Sequence, residues 1–182
     1  EHISKSISCS KNFTQVNVKQ CWDTVSYGFD SHESKLDIQR FYAWDVPKPF
    51  TGVETEELVV KFNKIDLECI LTNFHLNSIT SLSLSPNLKK EITFHYWHSN
   101  NSLYLEFLDN GIGIPEEKLD EIFEPFKFGT NRDSKSKVQH GRGLGLHIVK
   151  EIVKSYNGEV KAVKSATGAK IQLSIPDIKR VS

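Results

Sequence analysis

The chain lacks several features that would assign it at once to a class of protein. It has no methionine, only three cysteines and six prolines in 182 residues, and its 23 basic and 23 acidic side chains cancel. No apolar run approaches the roughly 20 residues of a membrane-spanning helix, and no signal-peptide pattern opens the chain. These absences argue against a secreted or membrane-spanning protein. The balanced charge argues against a general binder of nucleic acid or membrane surfaces.

The cysteines and the length indicate one cytoplasmic domain. Cys9, Cys21 and Cys69 are odd in number and lack a CxxC spacing, so we expect reduced thiols and a cytoplasmic location, alone or as the cytoplasmic portion of a larger or membrane-anchored protein. Because the chain starts at Glu1 without any methionine, we expect it to be part of a longer protein. We expect residues 1–15 to be a linker or frayed terminus and residues 16–178 to form a single domain.

Apolar periodicity predicts alternating helices and strands. Asp66 is the expected N-cap of the second long helix. The predicted helices cover residues 16–29, 67–82, 115–124 and 144–157, and the predicted strands cover residues 36–44, 59–62, 92–98, 103–108, 159–163 and 170–175.

A carboxylate ends one of these strands. Asp109 shares its side of the strand with Leu105 and Phe107, so it points toward the core layer, where a carboxylate needs a hydrogen-bond donor. The exocyclic amine of adenine is a suitable donor. Gly111 and Gly113 follow and allow the backbone to approach a base closely. The alternative is an ordinary Asp-Asn-Gly turn.

A second glycine-rich segment, Gly141-Arg142-Gly143-Leu144-Gly145-Leu146, opens an amphipathic helix. The first amides of a helix have no intrahelical acceptor and attract phosphate. The segment lacks the preceding strand of a dinucleotide-binding turn and the Gly-Lys-Ser/Thr ending of a P-loop. The loop 127–142, which leads into this segment, is polar, and all but one of its charged side chains are basic. This favours a mobile lid that closes over a polyphosphate; the alternative is solvated charge.

Two asparagines lie one turn apart on the predicted helix 67–82. Asn73 and Asn77 therefore share a face, and side-chain amide oxygens are ligands suited to Mg²⁺. The alternative is a solvated polar helix face, and the pair alone is weak evidence for a metal site.

These segments, in this order, resemble the GHKL ATPase superfamily. Residues 73–77, 109–115, 121–126 and 141–146 are similar to its four nucleotide-binding boxes, most of all those in the catalytic ATP-binding domain of sensor histidine kinases, and the resemblance covers residues 55–176. It implies a two-layer α/β sandwich, the Bergerat fold, with a mixed sheet, helices on one face and a flexible ATP lid.

The resemblance also implies ATP and Mg²⁺ as ligands. Asn77 would bind Mg²⁺, Asp109 the adenine amine, and the amides of residues 143–147 the phosphates. The residues implied in nucleotide binding are Asn77, Asp109, Gly111, Gly113, Ile114, Gly141, Gly143, Leu144, Gly145, Leu146 and His147.

The resemblance further indicates the reaction. Asn73 stands where ATP-hydrolysing members carry a glutamate general base, which favours phosphoryl transfer to an external histidine over hydrolysis. The implied partners are a histidine-bearing dimerisation domain of the same full-length protein and a response regulator, with no nucleic acid and no membrane contact by this domain. His32 has no dimerisation-helix pattern around it, and His75 lies off the Asn73 face, so neither is the expected acceptor.

Two alternatives remain open: a GHKL conformational ATPase of the MutL, chaperone or MORC kind, and a nucleotide-binding pseudokinase module. The chain departs from the histidine-kinase pattern at Thr80 and Ser81, where these kinases often have lysine and an aromatic residue, and at Ala169, where threonine is common. Thr167 is then the expected source of a hydroxyl group near the adenine.

Overall fold

The structure is a computed structural model that describes residues 12–29, 36–42, 57–127 and 143–181. It includes two one-turn 3₁₀ helices, Glu116–Lys118 and Glu121–Phe123. The main elements in chain order are β1 (Thr14–Asn17), α1 (Val18–Tyr27), β2 (Ile38–Tyr42), β3 (Val59–Phe62), α2 (Lys64–Ser83), β4 (Lys90–Ser99), β5 (Ser102–Asp109), α3 (Gly145–Lys154), β6 (Glu159–Val163) and β7 (Lys170–Ile175).

The described strands form one large and one small sheet. The large sheet has the order β2-β4-β5-β7-β6; β2 runs parallel to β4, and the other neighbours are antiparallel. Strands β1 and β3 form the small antiparallel sheet, in which Val16 lies opposite Val60. The mixed sheet confirms the predicted α/β class.

Aromatic side chains join the helices to one face of the large sheet. The ring centroids of Trp22 (α1) and Phe94 are 4.8 Å apart, and those of Phe74 (α2) and Phe107 are 4.4 Å apart. Val149 of α3 is fully buried in the same core. Each fully buried large side chain contributes about 2–3 kcal/mol to folding. The helices therefore form a single layer over the face of β5 that ends in Asp109.

The predicted helix over residues 16–29 is wrong at its start. Residues 14–17 form β1, and helix α1 begins at Val18. The side chain of Asn17 caps this helix by accepting a hydrogen bond from the amide of Gln20 at 2.9 Å. Pairing with β3, more than 40 residues along the chain, overrides the local apolar spacing.

Asp66 is not the N-cap of the second long helix, contrary to the prediction. Helix α2 begins one turn earlier, and the side chain of Asn63 caps it by accepting from the amide of Asp66 at 3.0 Å. Asp66 instead accepts a hydrogen bond from the hydroxyl group of Tyr156. This bond connects the first turn of α2 to the chain just after α3.

Two other predicted helices are shorter than expected. The stretch 115–124 contains the two 3₁₀ turns rather than one helix. Helix α3 ends at Lys154, and Asn157 then adopts a left-handed φ of 56° while the amide of Gly158 donates to the carbonyl of Val153 at 3.0 Å. Asn157 and Gly158 therefore end the helical path just beyond Lys154. In the described part of the chain, no helix is both long and apolar enough to cross a bilayer.

Candidate functional site

A buried carboxylate lies at the end of β5, on the face covered by the helices. Asp109 is 7% exposed. Its Oδ1 accepts hydrogen bonds from the amide of Gly111 at 2.9 Å, the hydroxyl group of Ser81 at 3.0 Å and the amide of Ala169 at 3.3 Å. Burial raises the pKa of this carboxyl group above its ordinary value, while these bonds and one from Ser78 oppose the rise. Asp109 is thus a poorly solvated carboxyl group with several hydrogen-bond donors around it.

The loop after Asp109 is fastened to the neighbouring strand. The side chain of Asn110 accepts from the amide of Glu91 at 2.8 Å and donates to the carbonyl of Lys89 at 2.9 Å. An isolated turn would not require these two bonds. They fix the point at which the chain leaves the sheet, and so they fix the position of the carboxylate.

Three glycines make a close backbone layer around the carboxylate. A Cβ atom on Gly111 would overlap the side chain of Ser81, and one on Gly168 would overlap the carbonyl of Asp109. Gly113 has a left-handed φ of 74°, and a Cβ there would lie 3.0 Å from the carbonyl oxygen of Gly168. The residue types at these positions are therefore explained by contact between main chains.

Asn73 lies close to the start of α3, near the end of the second glycine-rich segment. Its Nδ2 donates to the carbonyl of Cys69 at 2.8 Å, which orients the amide group. A Cβ on Gly145 would lie 2.6 Å from Oδ1 of Asn73. Two residues that are 72 positions apart in the sequence, both predicted for the site, are therefore in close proximity.

The first amides of α3 have no acceptor within the helix. The first intrahelical hydrogen bond runs from the amide of Ile148 to the carbonyl of Leu144 at 2.9 Å. The amides of Gly145, Leu146 and His147 come before it and make no intrahelical bond. Within the described ranges no side chain caps this helix. Such an end carries partial positive charge and suits an anion.

Side-chain contacts hold this helix end against the second 3₁₀ turn. The imidazole Nδ1 of His147 lies 3.2 Å from the carbonyl oxygen of Phe123, and Lys150 pairs with Glu124 at 2.6 Å. The amide of Phe126 donates to the carbonyl of Gly143 at 2.9 Å. The helix start is thus connected to the segment that leads into the predicted lid.

The other predicted residues are distributed as follows. Asn77 lies on α2 one turn beyond Asn73 and is exposed, and Ile114 is half-buried against the core. Gly141, the predicted lid over 128–142, and His32 lie outside the described residues. His75 is fully buried, with its ring 5.0 Å from Trp22, so it packs as expected.

Sequence reasoning missed the hydroxyl groups beside Asp109. Ser81 and Ser78 lie one turn apart on α2, and both contribute hydrogen bonds to the carboxylate. Thr167, the expected source of a hydroxyl group, is exposed, and Ala169 contributes its backbone amide. Ser81 lies one turn beyond Asn77, but only the tertiary structure shows where the two serine side chains point.

The fold and this site define a two-layer α/β domain with a buried carboxyl group at one end and an uncapped helix N-terminus at the other, an arrangement that suits a nucleotide. Residues 62–179 match the family described as "Histidine kinase-, DNA gyrase B-, and HSP90-like ATPase". The chain belongs to this family, which confirms the resemblance stated from the sequence. It corresponds to the catalytic ATP-binding domain of sensor histidine kinases.

Similar proteins with curated descriptions are sensor kinases. The chain is 31% identical over 180 residues to the autoinducer 2 sensor kinase/phosphatase LuxQ of Vibrio parahaemolyticus, covering 92% of this chain and 20% of that protein. It is 34% identical over 120 residues to the sensor protein kinase WalK of Staphylococcus haemolyticus, covering 63% of this chain and 19% of that protein. The chain thus spans about a fifth of the length of these relatives.

Solved structures show the same fold. The catalytic domain of the histidine kinase ThkA superposes with a TM-score of 0.70 at 21% identity, covering 91% of this chain and 96% of that one. Histidine kinase ThkA in complex with the response regulator protein TrrA superposes with a TM-score of 0.68 at 20% identity, covering 91% of this chain and 42% of that one.

Proposed function

We propose that this domain binds ATP with Mg²⁺ and transfers the γ-phosphoryl group to a histidine on a separate dimerisation domain. The observation that carries the proposal is the joint arrangement of Asp109 and the start of α3 around helix α2. Ser81 contacts the first and Asn73 contacts the second. One rigid helix therefore sets the distance between an adenine-binding end and a phosphate-binding end.

At the adenine end, Asp109 accepts the hydrogen bond of the 6-amino group. Three of the four protein donors to this carboxylate meet at Oδ1, so we assign the amine to Oδ2. Gly111 and Gly113 line the base through their main chains, and Ile114 supplies an apolar contact. Guanine carries an acceptor oxygen at the equivalent position and would face the carboxylate unfavourably. The site is therefore selective for adenine.

At the phosphate end, the amides of residues 143–147 bind the phosphate oxygens. The absence of a side chain on Gly145 leaves room for the amide group of Asn73, and the uncapped helix end fits an anion. Asn77 is exposed one turn along α2 and is the protein ligand that would hold Mg²⁺. Mg²⁺ would neutralise charge on the phosphates, which supply its further ligands together with water.

The chemistry needs positioning rather than a general base in this chain. Asn73 is a neutral amide whose Nδ2 is already bound to the carbonyl of Cys69, so it is not available to deprotonate water. We assign it the role of orienting the phosphate-binding segment. Phosphoryl transfer then depends on alignment with an external nucleophile and on charge neutralisation.

The partners are proposed from the relatives. LuxQ and WalK are sensor kinases, and ThkA has been observed with a response regulator protein. We therefore propose that the acceptor histidine lies on a dimerisation domain of the same full-length protein, that a response regulator receives the phosphoryl group next, and that this domain acts in the cytoplasm. Phe126 and Ile148 are 67% and 41% exposed beside the phosphate end and offer apolar contacts to such a partner.

Calorimetry with ATP and GTP, each with and without Mg²⁺, tests the binding half of this proposal. We expect ATP to bind, Mg²⁺ to strengthen the binding of ATP, and GTP to bind at least about tenfold more weakly because a donor–acceptor pair becomes two acceptors. No ATP binding, or equal affinity for both nucleotides, would contradict it.

A further inference from the structure

Helix α2 supplies a hydroxyl group to Asp109 from its last turn. Ser81 donates to Oδ1 of Asp109 at 3.0 Å across 28 positions of sequence. The other two donors to Oδ1 are main-chain amides of Gly111 and Ala169, which are fixed by the ends of β5 and β7. The bond from Ser81 is therefore the one of these three that a side-chain substitution removes.

We propose that Ser81 is the positioning residue of the adenine-binding carboxylate: its hydroxyl group holds Oδ1 of Asp109, so that the ionised carboxylate presents Oδ2 to the base. This inference rests on the proposed function and assigns a selectivity role within that site. Ala169 contributes only its main-chain amide, so the hydroxyl groups beside the carboxylate come from α2.

The surrounding packing leaves little freedom at this contact. A Cβ on Gly111 would overlap Ser81, and the amide of Ile112 donates to the carbonyl of Ser81 at 3.4 Å. Ser81 is thus pressed against the glycine loop at both its side chain and its main chain. Asp109 consequently has its oxygen held from the helix layer as well as from the sheet.

Charged side chains of the neighbouring elements are engaged elsewhere. Lys90 of β4 donates to the carbonyl of Leu82 at 2.6 Å, Glu91 pairs with Lys89 at 2.6 Å, and Lys170 of β7 pairs with Glu106 at 3.0 Å. The groups on α2 that face the carboxylate are the hydroxyls of Ser78 and Ser81. A pH dependence of adenine binding therefore reports mainly on Asp109 and its hydrogen bonds.

The first measurement is the dissociation constant of ATP across pH for the wild type and Ser81→Ala. A hydrogen bond to a charged group is lost, so we expect about tenfold weaker binding at neutral pH. Because the loss of this bond favours protonation, the fall in affinity on acidification should begin at higher pH in the variant. Ser83→Ala is the matched control, since Ser83 is exposed on the same helix and donates to the carbonyl of Thr80; it should leave both quantities unchanged.

A loss of affinity by the same factor at every pH would assign Ser81 to packing alone and overturn the proposal. An unchanged dissociation constant in Ser81→Ala would overturn it as well.

The second measurement needs no nucleotide: the free energy of unfolding in urea across pH for Ser81→Ala, Asp109→Asn and the double variant. Ser81→Ala should shift the pH profile in the wild-type background and leave it unshifted in the Asp109→Asn background. Equal shifts in both backgrounds would show that Ser81 does not act through the carboxylate. A coupled profile in a chain that fails to bind ATP would refute the proposed function while supporting the contact between Ser81 and Asp109.

Discussion

Single residues at the adenine end combine functional need with a cost in stability. In the proposed function Asp109 accepts an amine as a carboxylate, yet it lies beside Phe107, Gly111 and α2 and is nearly inaccessible to water. Burial of a carboxylate costs free energy that the donors offset only in part, which is why its pKa is raised. Function and stability therefore make opposite demands on this side chain.

We predict that Asp109→Asn abolishes ATP binding without destabilising the fold. The amide oxygen can still accept from Ser81, Gly111 and Ala169, while the buried charge is removed. Because the folded-state pKa of Asp109 is raised, its carboxyl group favours the fold at low pH and loses this contribution as the pH rises through that pKa. Chemical denaturation at neutral pH should therefore give a free energy of unfolding equal to or above that of the wild type.

Calorimetry on the same Asp109→Asn sample completes this test. Retained ATP affinity, or a loss of about 2 kcal/mol or more in the free energy of unfolding, would count against the assigned role.

At the scale of elements, α3 is a phosphate-binding helix only if its first turn stays open. We predict that Gly145→Ala lowers affinity for ATP about tenfold or more, because the new Cβ would lie 2.6 Å from Oδ1 of Asn73 and displace the helix start. Adenosine lacks phosphates and should bind with unchanged affinity. Equal losses for ATP and adenosine would indicate a general disturbance of the domain.

Gly28→Ala is the control for that substitution. Gly28 has a helical φ of −61°, and a Cβ there would lie 3.3 Å from the carbonyl of Val25, remote from the site. Nucleotide affinity should not change in this variant.

Strand β5 carries a second buried carboxylate on the face opposite Asp109. Burial alone would raise the pKa of Glu106, but hydrogen bonds from His95, Gln172 and Lys170 lower it to about 2. A lowered pKa contributes stability that is present above the ordinary value of 4.5 and is lost as the pH falls through about 2. This network fastens β4, β5 and β7 together beneath the nucleotide site.

We predict that Glu106→Gln lowers the free energy of unfolding by about 2 kcal/mol at neutral pH, with the difference from the wild type shrinking between pH 4.5 and about 2. Urea denaturation at a series of pH values measures it. Glu116→Gln is the matched control, because Glu116 forms an exposed pair with Lys164 and should change stability by less than about 0.5 kcal/mol. A loss that is independent of pH would refute the charge-based explanation.

The elements differ in how far local sequence predicts them. Strands β3, β6 and β7 have the predicted bounds, because their residues alternate locally between turn signals. Strand β1 was missed because its four residues are specified by distant β3. The Asn63 cap was missed because Asp66, also a good capping residue, stands three positions later.

Site residues show the same limit. Strand alternation determines which way Asp109 points, and contact between main chains requires the glycines around it. Both features can be recognised in the sequence. The bond from Ser81 depends on how α2 packs over the end of β5, and no local spacing specifies that packing. Likewise, the contact between Asn73 and Gly145 was not predicted, although each residue was singled out for the site.

For the whole molecule, the proposed nucleotide site accounts for the donor side of a phosphoryl transfer and leaves the acceptor to another domain. In the proposed function the domain would hold a nucleotide between its adenine end and its phosphate end, beside the exposed side chains of Phe126 and Ile148. Asn73 is a neutral amide bound to the carbonyl of Cys69 and offers no general base. We therefore propose that the acceptor histidine lies outside the described residues and that efficient transfer requires a second domain.

An assay with γ-labelled ATP tests whether this domain transfers the γ-phosphoryl group to a histidine on a separate domain. The domain would be incubated with ATP, Mg²⁺ and the histidine-bearing dimerisation domain of its full-length protein, and the label followed on each chain. We predict an acid-labile, base-stable phosphohistidine on the dimerisation domain. Asp109→Asn should abolish this label. Little phosphate should be released when the dimerisation domain is left out. Steady release of phosphate without an acceptor, and no labelled histidine when one is supplied, would contradict it.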